Sequence, residues 1–247
     1  MRNIWIIAKR EYRQFFSSPL AYAVALLIFI ILGVLFILQI LQASTQSLYY
    51  QTPPPDVSIV IGPLATLLLW TTPALTMRLL SEEQKSGTLE IMLTAPVRDA
   101  ELVVGKWLGS FMFVLSIIAV SLIFPVILNQ IVSPGIDQGL MMSAYLGIIL
   151  VAAAFLAIGT AVSSVFSNQV VSFIVTLALL IILWMVISWP GYFVPSGADI
   201  FKYLHLGSHF DHLTSGVIAV SDIVYFLSWT AFGLFVGTSF VEMRRWK

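Results

Sequence analysis

Residues 20–41 read LAYAVALLIFIILGVLFILQIL, an apolar run broken only by Gln39. The hydrocarbon core of a bilayer requires roughly 20 such residues. The run is too long for the h-region of a signal peptide and has no convincing cleavage site after it, so it reads as a retained span. Working outward, further runs follow at about 57–80, 102–128, 140–166, 170–189 and 222–241. They show no period-2 alternation, and a span must satisfy its backbone internally, so all six read as helices rather than barrel strands. The connections are polar or turn-forming, as in Thr52-Pro53-Pro54-Pro55-Asp56, Ser133-Pro134-Gly135 and Trp189-Pro190-Gly191, and Ser167-Asn168-Gln169 is short enough for a tight hairpin.

Composition agrees. Of 247 residues 59% are hydrophobic and 10% charged, with mean hydropathy +0.98, whereas a soluble domain carries about a quarter charged residues. The expectation is an all-α integral membrane protein, one domain over 1–247. Twelve basic residues balance twelve acidic ones, which argues against nucleic acid as a partner. The absence of cysteine removes disulfides, thiolate metal sites and cysteine nucleophiles together.

Charge is nonetheless distributed unevenly. Arg2, Lys9, Arg10 and Arg13 precede the first span; Arg78, Lys85, Arg98 and Lys106 surround the second connection; Arg244, Arg245 and Lys247 follow the last span. Only Lys202 falls on the other side. Because short positively charged loops stay inside, the sequence predicts a cell-membrane protein with both termini cytoplasmic.

Two segments do not read as spans. In 3–17, Ile4, Trp5, Ala8, Tyr12, Phe15 and Phe16 share a helical face opposite Lys9, Arg10, Arg13 and Gln14, with Ile6 and Glu11 as exceptions. That is the pattern of an amphipathic helix at the membrane interface, and an ordinary basic anchor before the first span is the alternative. Ser18-Pro19 then suits the cap and first turn of the next helix. The second segment, 190–221, is rich in Gly, Pro and Ser and either dips into the outer leaflet or rests on its surface.

The chemistry on offer is sparse. Ionisable side chains are nearly absent from the middles of the spans, which argues against a secondary carrier or a charged channel filter. His205, His209 and His212 share a face if helical, but polar tips of an interfacial helix explain that spacing as well as a metal site does. No catalytic constellation is present, and the methionines read as packing residues. Gly233 and Gly237, with the ridge Ala153, Ala157 and Ala161, read as helix-packing faces.

The connection SEEQKSGTLEIMLTAPV, residues 81–97, is the most informative. Ser81 with Gln84 suggests a capping box, Gly87 breaks the helix, and Thr88 caps a short second one carrying Leu89, Met92 and Leu93 on one side. Pro96 ends it, and Asp99 caps the third span.

This stretch resembles the E-E-x-x-x-G-T-L-E-x-L-L-x-x-P-V signature of permeases of the type 2 ABC-exporter class, Met92 replacing a leucine conservatively. KREYRQFFSSPLAY at 9–22, PALTMR at 73–78 and SHFDHLTSGVI at 208–218 are similar to the gliding-motility GldF branch, with NosY-type permeases as relatives. The resemblance implies an N-terminal connecting helix, a coupling segment at 81–97 contacting an ATPase through Glu82, Glu83, Gly87, Thr88, Leu89, Glu90, Met92 and Leu93, and partly re-entrant external helices within 190–221. It implies as partners separate ABC ATPase subunits, which bind the ATP and Mg, a second permease copy or paralogue, and membrane lipids. No cofactor is expected in this chain. Consistently, the sequence has no GxxxxGK[ST] loop; Gly105-Lys106 is followed by Trp107. A secondary carrier or channel, or a membrane-embedded enzyme, is the alternative.

Overall fold

The computed structural model describes residues 2–50, 54–87, 98–189 and 198–245. Those residues form helices and no strand: α1 Arg2–Ser17, α2 Pro19–Tyr50, α3 Ser58–Thr76, α4 Ser81–Ser86, α5 Asp99–Ser121, α6 Ile123–Ile131, α7 Gln138–Val165, α8 Gln169–Ile181 continued by a π-helical turn Ile182–Val186, α9 Ala198–Leu204, α10 Leu206–Thr214 and α11 Val220–Arg245. Among the described residues, six helical segments are long and apolar enough to cross a bilayer, at the six places where the sequence puts them.

The helix α7 is the axis of the bundle, buried at nearly every residue from Ser143 to Ser164. Its small residues make this possible. A Cβ on Gly233 of α11 would lie 2.8 Å from the carbonyl carbon of Ala157, and one on Gly237 would lie 3.5 Å from Ala161 Cα. The two glycines therefore let α11 approach α7 backbone to backbone, the small-residue packing that membrane helices use. By contrast, among its described side chains α2 buries only a stripe of Ala21, Ile28, Leu32 and Phe36, the last meeting Phe124 edge-on at 5.2 Å. Its Leu26, Ile30, Val34 and Ile37 are more than half exposed, a surface that lipid tails solvate at no cost.

Two spans depart from a single straight helix. The third is α5 plus α6, interrupted at Leu122, because Pro125 has no N–H to offer the carbonyl of Ser121. Together they run from Asp99 to Ile131, about 50 Å at 1.5 Å per residue against a core of about 30 Å. One end must project, and α1 packs there. The fifth span passes into a π turn closed by Ile187 N–H donating to Ile182 O at 2.9 Å. The carbonyl of Trp184 within it accepts from His205 Nε2 at 2.6 Å.

At the opposite end from α1, α10 folds into the bundle. Leu206, Phe210 and Leu213 are buried, Ser143 donates to Leu213 O at 2.8 Å, and a Cβ on Gly147 would lie 3.0 Å from Leu213 Cβ. Gly147 is nine residues into α7 from Gln138, so α10 reaches about 13 Å along it. Helix α10 is thus packed into the helix ends, whereas α9, with Ile200 and Tyr203 mostly exposed, stays at the surface.

Candidate functional site

The end bearing most of the Lys and Arg residues holds the densest long-range polar contacts. Here α1 lies along the projecting part of α5, and two glycines set the distance. A Cβ on Gly105 would fall 2.8 Å from Ile7 Cβ, and one on Gly109 would fall 2.5 Å from Glu11 Cβ and 2.8 Å from Ala8 O. Phe15 stacks on Phe113 at 4.9 Å, Tyr12 and Ser116 hydroxyls are 3.0 Å apart, and Asn3 Nδ2 donates to Glu101 Oε2 at 3.0 Å. Helix α1 is therefore docked along its length, not loosely anchored.

This contact buries an ion cluster. Lys106, between the two glycines, places Nζ 2.9 Å from Glu11 Oε1 and 2.8 Å from Glu83 Oε1, with side-chain exposures of 3%, 8% and 14% respectively. One ammonium thus ties α1, α5 and α4 together. Glu11, the exception on the apolar face of 3–17, is the residue that makes the tie, and Trp5, assigned to that face, is 55% exposed instead.

Helix α4 is also held from its other side. Ser163 Oγ on α7 accepts from Leu80 N–H at 3.0 Å and Ser81 N–H at 3.1 Å, Ser81 Oγ donates to Ser163 O at 3.1 Å, and Gln84 Nε2 donates to Ser164 O at 2.8 Å. The expected capping box of Ser81 and Gln84 does not form. The last carbonyls of α7 have no intrahelical donors, and those two side chains satisfy them instead. Asp99 likewise is not the cap of α5: Glu101 turns back to accept from Arg98 N–H at 3.2 Å, leaving Asp99 as the first helical residue. Gly87 ends α4 with φ +71°, a left-handed conformation that favours glycine.

Of the expected coupling residues, Glu82 is exposed, Glu83 is turned inward onto Lys106, and Gly87 makes the turn. Thr88, Leu89, Glu90, Met92 and Leu93 lie outside the described residues. A cleft of 380 Å³ opens between α1 and α4, lined by Arg10, Glu11, Arg78, Glu82, Glu83 and Lys106 among others.

The sequence profile described as ABC-2 family transporter protein matches residues 5–242, which takes in every helix of this arrangement. The chain belongs to the ABC-2 transporter family. It is therefore an ABC-2 permease, the membrane component of a transporter that works with ATPase subunits. No curated protein matches the chain.

At the far end of this ABC-2 permease, the histidines are brought near one another without converging. His205 precedes α10, accepting from Ser208 N–H at 3.0 Å through Nδ1 and engaging Trp184 O through Nε2. His209 is buried, its ring stacked on Tyr225 at 3.9 Å, with Nδ1 2.6 Å from Asp222 Oδ1 and Nε2 2.9 Å from Tyr203 O. His212 is exposed, 3.3 Å from the other oxygen of Asp222. Asp222, read from sequence only as the start of the last span, is the residue that organises the group. Its spacing of 13 from His209 offered no helical signal.

Proposed function

We propose that this permease is one membrane half of an ATP-driven exporter, paired with a second permease copy or paralogue and with separate ABC ATPases that bind ATP and Mg. The basic end is cytoplasmic, as the Lys and Arg distribution favours. The observation that carries the reading is the Glu11–Lys106–Glu83 cluster. It gives α4, whose Gly87 turn leads into residues 88–97, a charge-paired attachment to α1 and α5. The Ser163 contacts attach the same helix to α7.

In this mechanism the ATPase docks on 81–97, with Glu82 and Glu90 facing its basic residues and Leu89, Met92 and Leu93 in an apolar groove. Closure of two ATPases around nucleotide moves α4, and the buried contacts move α1, α5 and the base of α7 with it as one body. Helix α1 leads through Ser18 into α2, so the displacement reaches the lipid-facing spans and a cavity between the two halves. This is rigid-body switching driven by a ligand with different affinity for the two states. The likeness of 9–22, 73–78 and 208–218 to GldF and NosY permeases favours that branch of the family. The test is capture of the tagged chain from native membranes: an ABC ATPase in stoichiometric amount supports the reading. Solute flux down a gradient by the chain alone, with no ATPase recovered, overturns it.

A further inference from the structure

Helix α1 gives only one face to the protein. Ile7, Ala8, Glu11, Tyr12 and Phe15 are buried or half-buried toward α5, whereas Trp5, Phe16, Arg2, Lys9, Arg10 and Arg13 are exposed. At about 3.6 residues per turn, Tyr12, Trp5 and Phe16 form one edge, and Lys9, Arg2 and Arg13 lie directly beside it. Glu11, the helix's one acidic residue, is buried against Lys106. The exposed surface of α1 therefore carries four positive charges and no negative one.

The aromatic edge sits where the first span begins. The Phe16 ring is 5.6 Å from Phe113 and 6.5 Å from Tyr22, three residues into α2. Beside it is an apolar slot of 150 Å³ between the end of α1, α2 and α5, lined by Phe16, Tyr22, Ala25, Phe29, Phe113 and Val120. The slot adjoins the exposed apolar side of α2, where Tyr22 is 58% and Leu26 64% exposed. A basic stripe, an aromatic edge and an apolar slot thus follow one another across the elbow of α1 and α2. An acidic protein surface would answer the charges and leave the slot empty; a lipid with a negative headgroup answers both.

We propose that this elbow is a binding site for an anionic glycerophospholipid, its phosphate against Lys9 and Arg13 and one acyl chain in the slot. The site stands on the membrane embedding of the chain and is independent of the coupling role of α4. Each basic side chain near an anionic headgroup layer is worth about fivefold in binding, so the pair sets a preference of about twenty-five-fold over a zwitterionic lipid.

The test is native mass spectrometry of the full chain, delipidated in a non-ionic detergent and offered phosphatidylglycerol or phosphatidylcholine with identical acyl chains. Wild type should retain phosphatidylglycerol at least about tenfold better. Lys9→Gln with Arg13→Gln, both at exposed positions, should bring phosphatidylglycerol down to the phosphatidylcholine level, and Ala25→Leu, which fills the slot, should weaken both lipids. If Ala25→Leu fails to fold, the charge variant and the two-lipid comparison decide the matter. Equal retention of the two lipids by wild type, undiminished phosphatidylglycerol binding by the double variant, or displacement of the lipid by millimolar inorganic phosphate would each overturn the proposal, the last by showing a site for free anions.

Discussion

Lys106 and Glu11 are 95 residues apart in the chain and 2.9 Å apart in space, both almost fully buried. With Glu83 they place one basic and two acidic side chains along the cleft between α1 and α4, none more than 14% exposed. Such a cluster is stable only while complete, because a lone charge left in a poorly solvated site is far more costly than the intact pair is favourable.

Lys106→Met should accordingly destabilise the protein by about 3–5 kcal/mol, seen as a lower Tm in detergent. Adding Glu11→Gln and Glu83→Gln should recover most of that loss, since replacing a whole buried ionic set is often near neutral. Hydrolysis by the captured ATPase assembly should stay defective in the triple variant, because the charge tie between α4 and α1 is absent. A Tm unchanged by Lys106→Met would remove the cluster from the account.

Among the described residues nothing lies within 4 Å of a Cβ added at Gly87, so the effect predicted here is that of the backbone. With φ at +71°, Gly87→Val should cost roughly 1–3 kcal/mol of local strain and reduce ATPase co-purification, while Gly87→Asn, which tolerates the left-handed region, should retain most of it. Glu82→Ala removes a charge from the proposed interface, where losing one partner of a buried pair costs about 2–5 kcal/mol. Membrane insertion should survive all three changes.

The histidine group makes a graded prediction. Replacing His209 by Ala leaves the buried Asp222 carboxylate without its 2.6 Å partner, so the loss should be several-fold larger than for His212→Ala, whose ring is 61% exposed. His205→Gln should fall between them through its lost contact with Trp184. Thermal unfolding of the three variants gives the order. Stoichiometric metal in the wild type, lost together with activity in any of them, would favour the metal-site alternative.

Orientation is open to direct labelling because the chain contains no cysteine. A cysteine at Ser133, in the connection between α6 and α7, should react with an impermeant thiol reagent in intact cells. One at Ser86, on α4, should react only after permeabilisation. Labelling of Ser86 in sealed cells would invert the topology.

Much of this fold was legible because lipid simplifies the pattern: each span is a run of apolar residues, and 140–166 is found again as a helix within two positions, while 20–41 lies within α2, which runs on to Tyr50. The Gly233–Gly237 and Ala153–Ala157–Ala161 faces were legible for a related reason, since small residues four apart read as packing in a membrane helix. The ion cluster was harder. Glu11 stood out as the misfit on an apolar face, yet its partners lie on helices that share no sequence periodicity with it. Gly105-Lys106-Trp107-Leu108-Gly109 carries the same four-residue glycine spacing as Gly233 and Gly237, a signal of a close helix contact around Lys106 that the reading of 102–128 as a plain span passes over. Ser81 and Gln84 misled because a capping box and a pair of side chains capping another helix look alike until α7 is in place. Asp222 was illegible because its role depends on α10 folding back against α11.

The most direct measurement is photocross-linking from a cysteine at Ser86, the last residue of α4, carried out in native membranes with the partner identified by mass spectrometry. The account predicts an ABC ATPase as the main cross-linked protein, with the yield falling several-fold when Gly87→Val is added. A Ser86 probe that captures no ATPase, in membranes where the chain is folded and its transport is active, would contradict it.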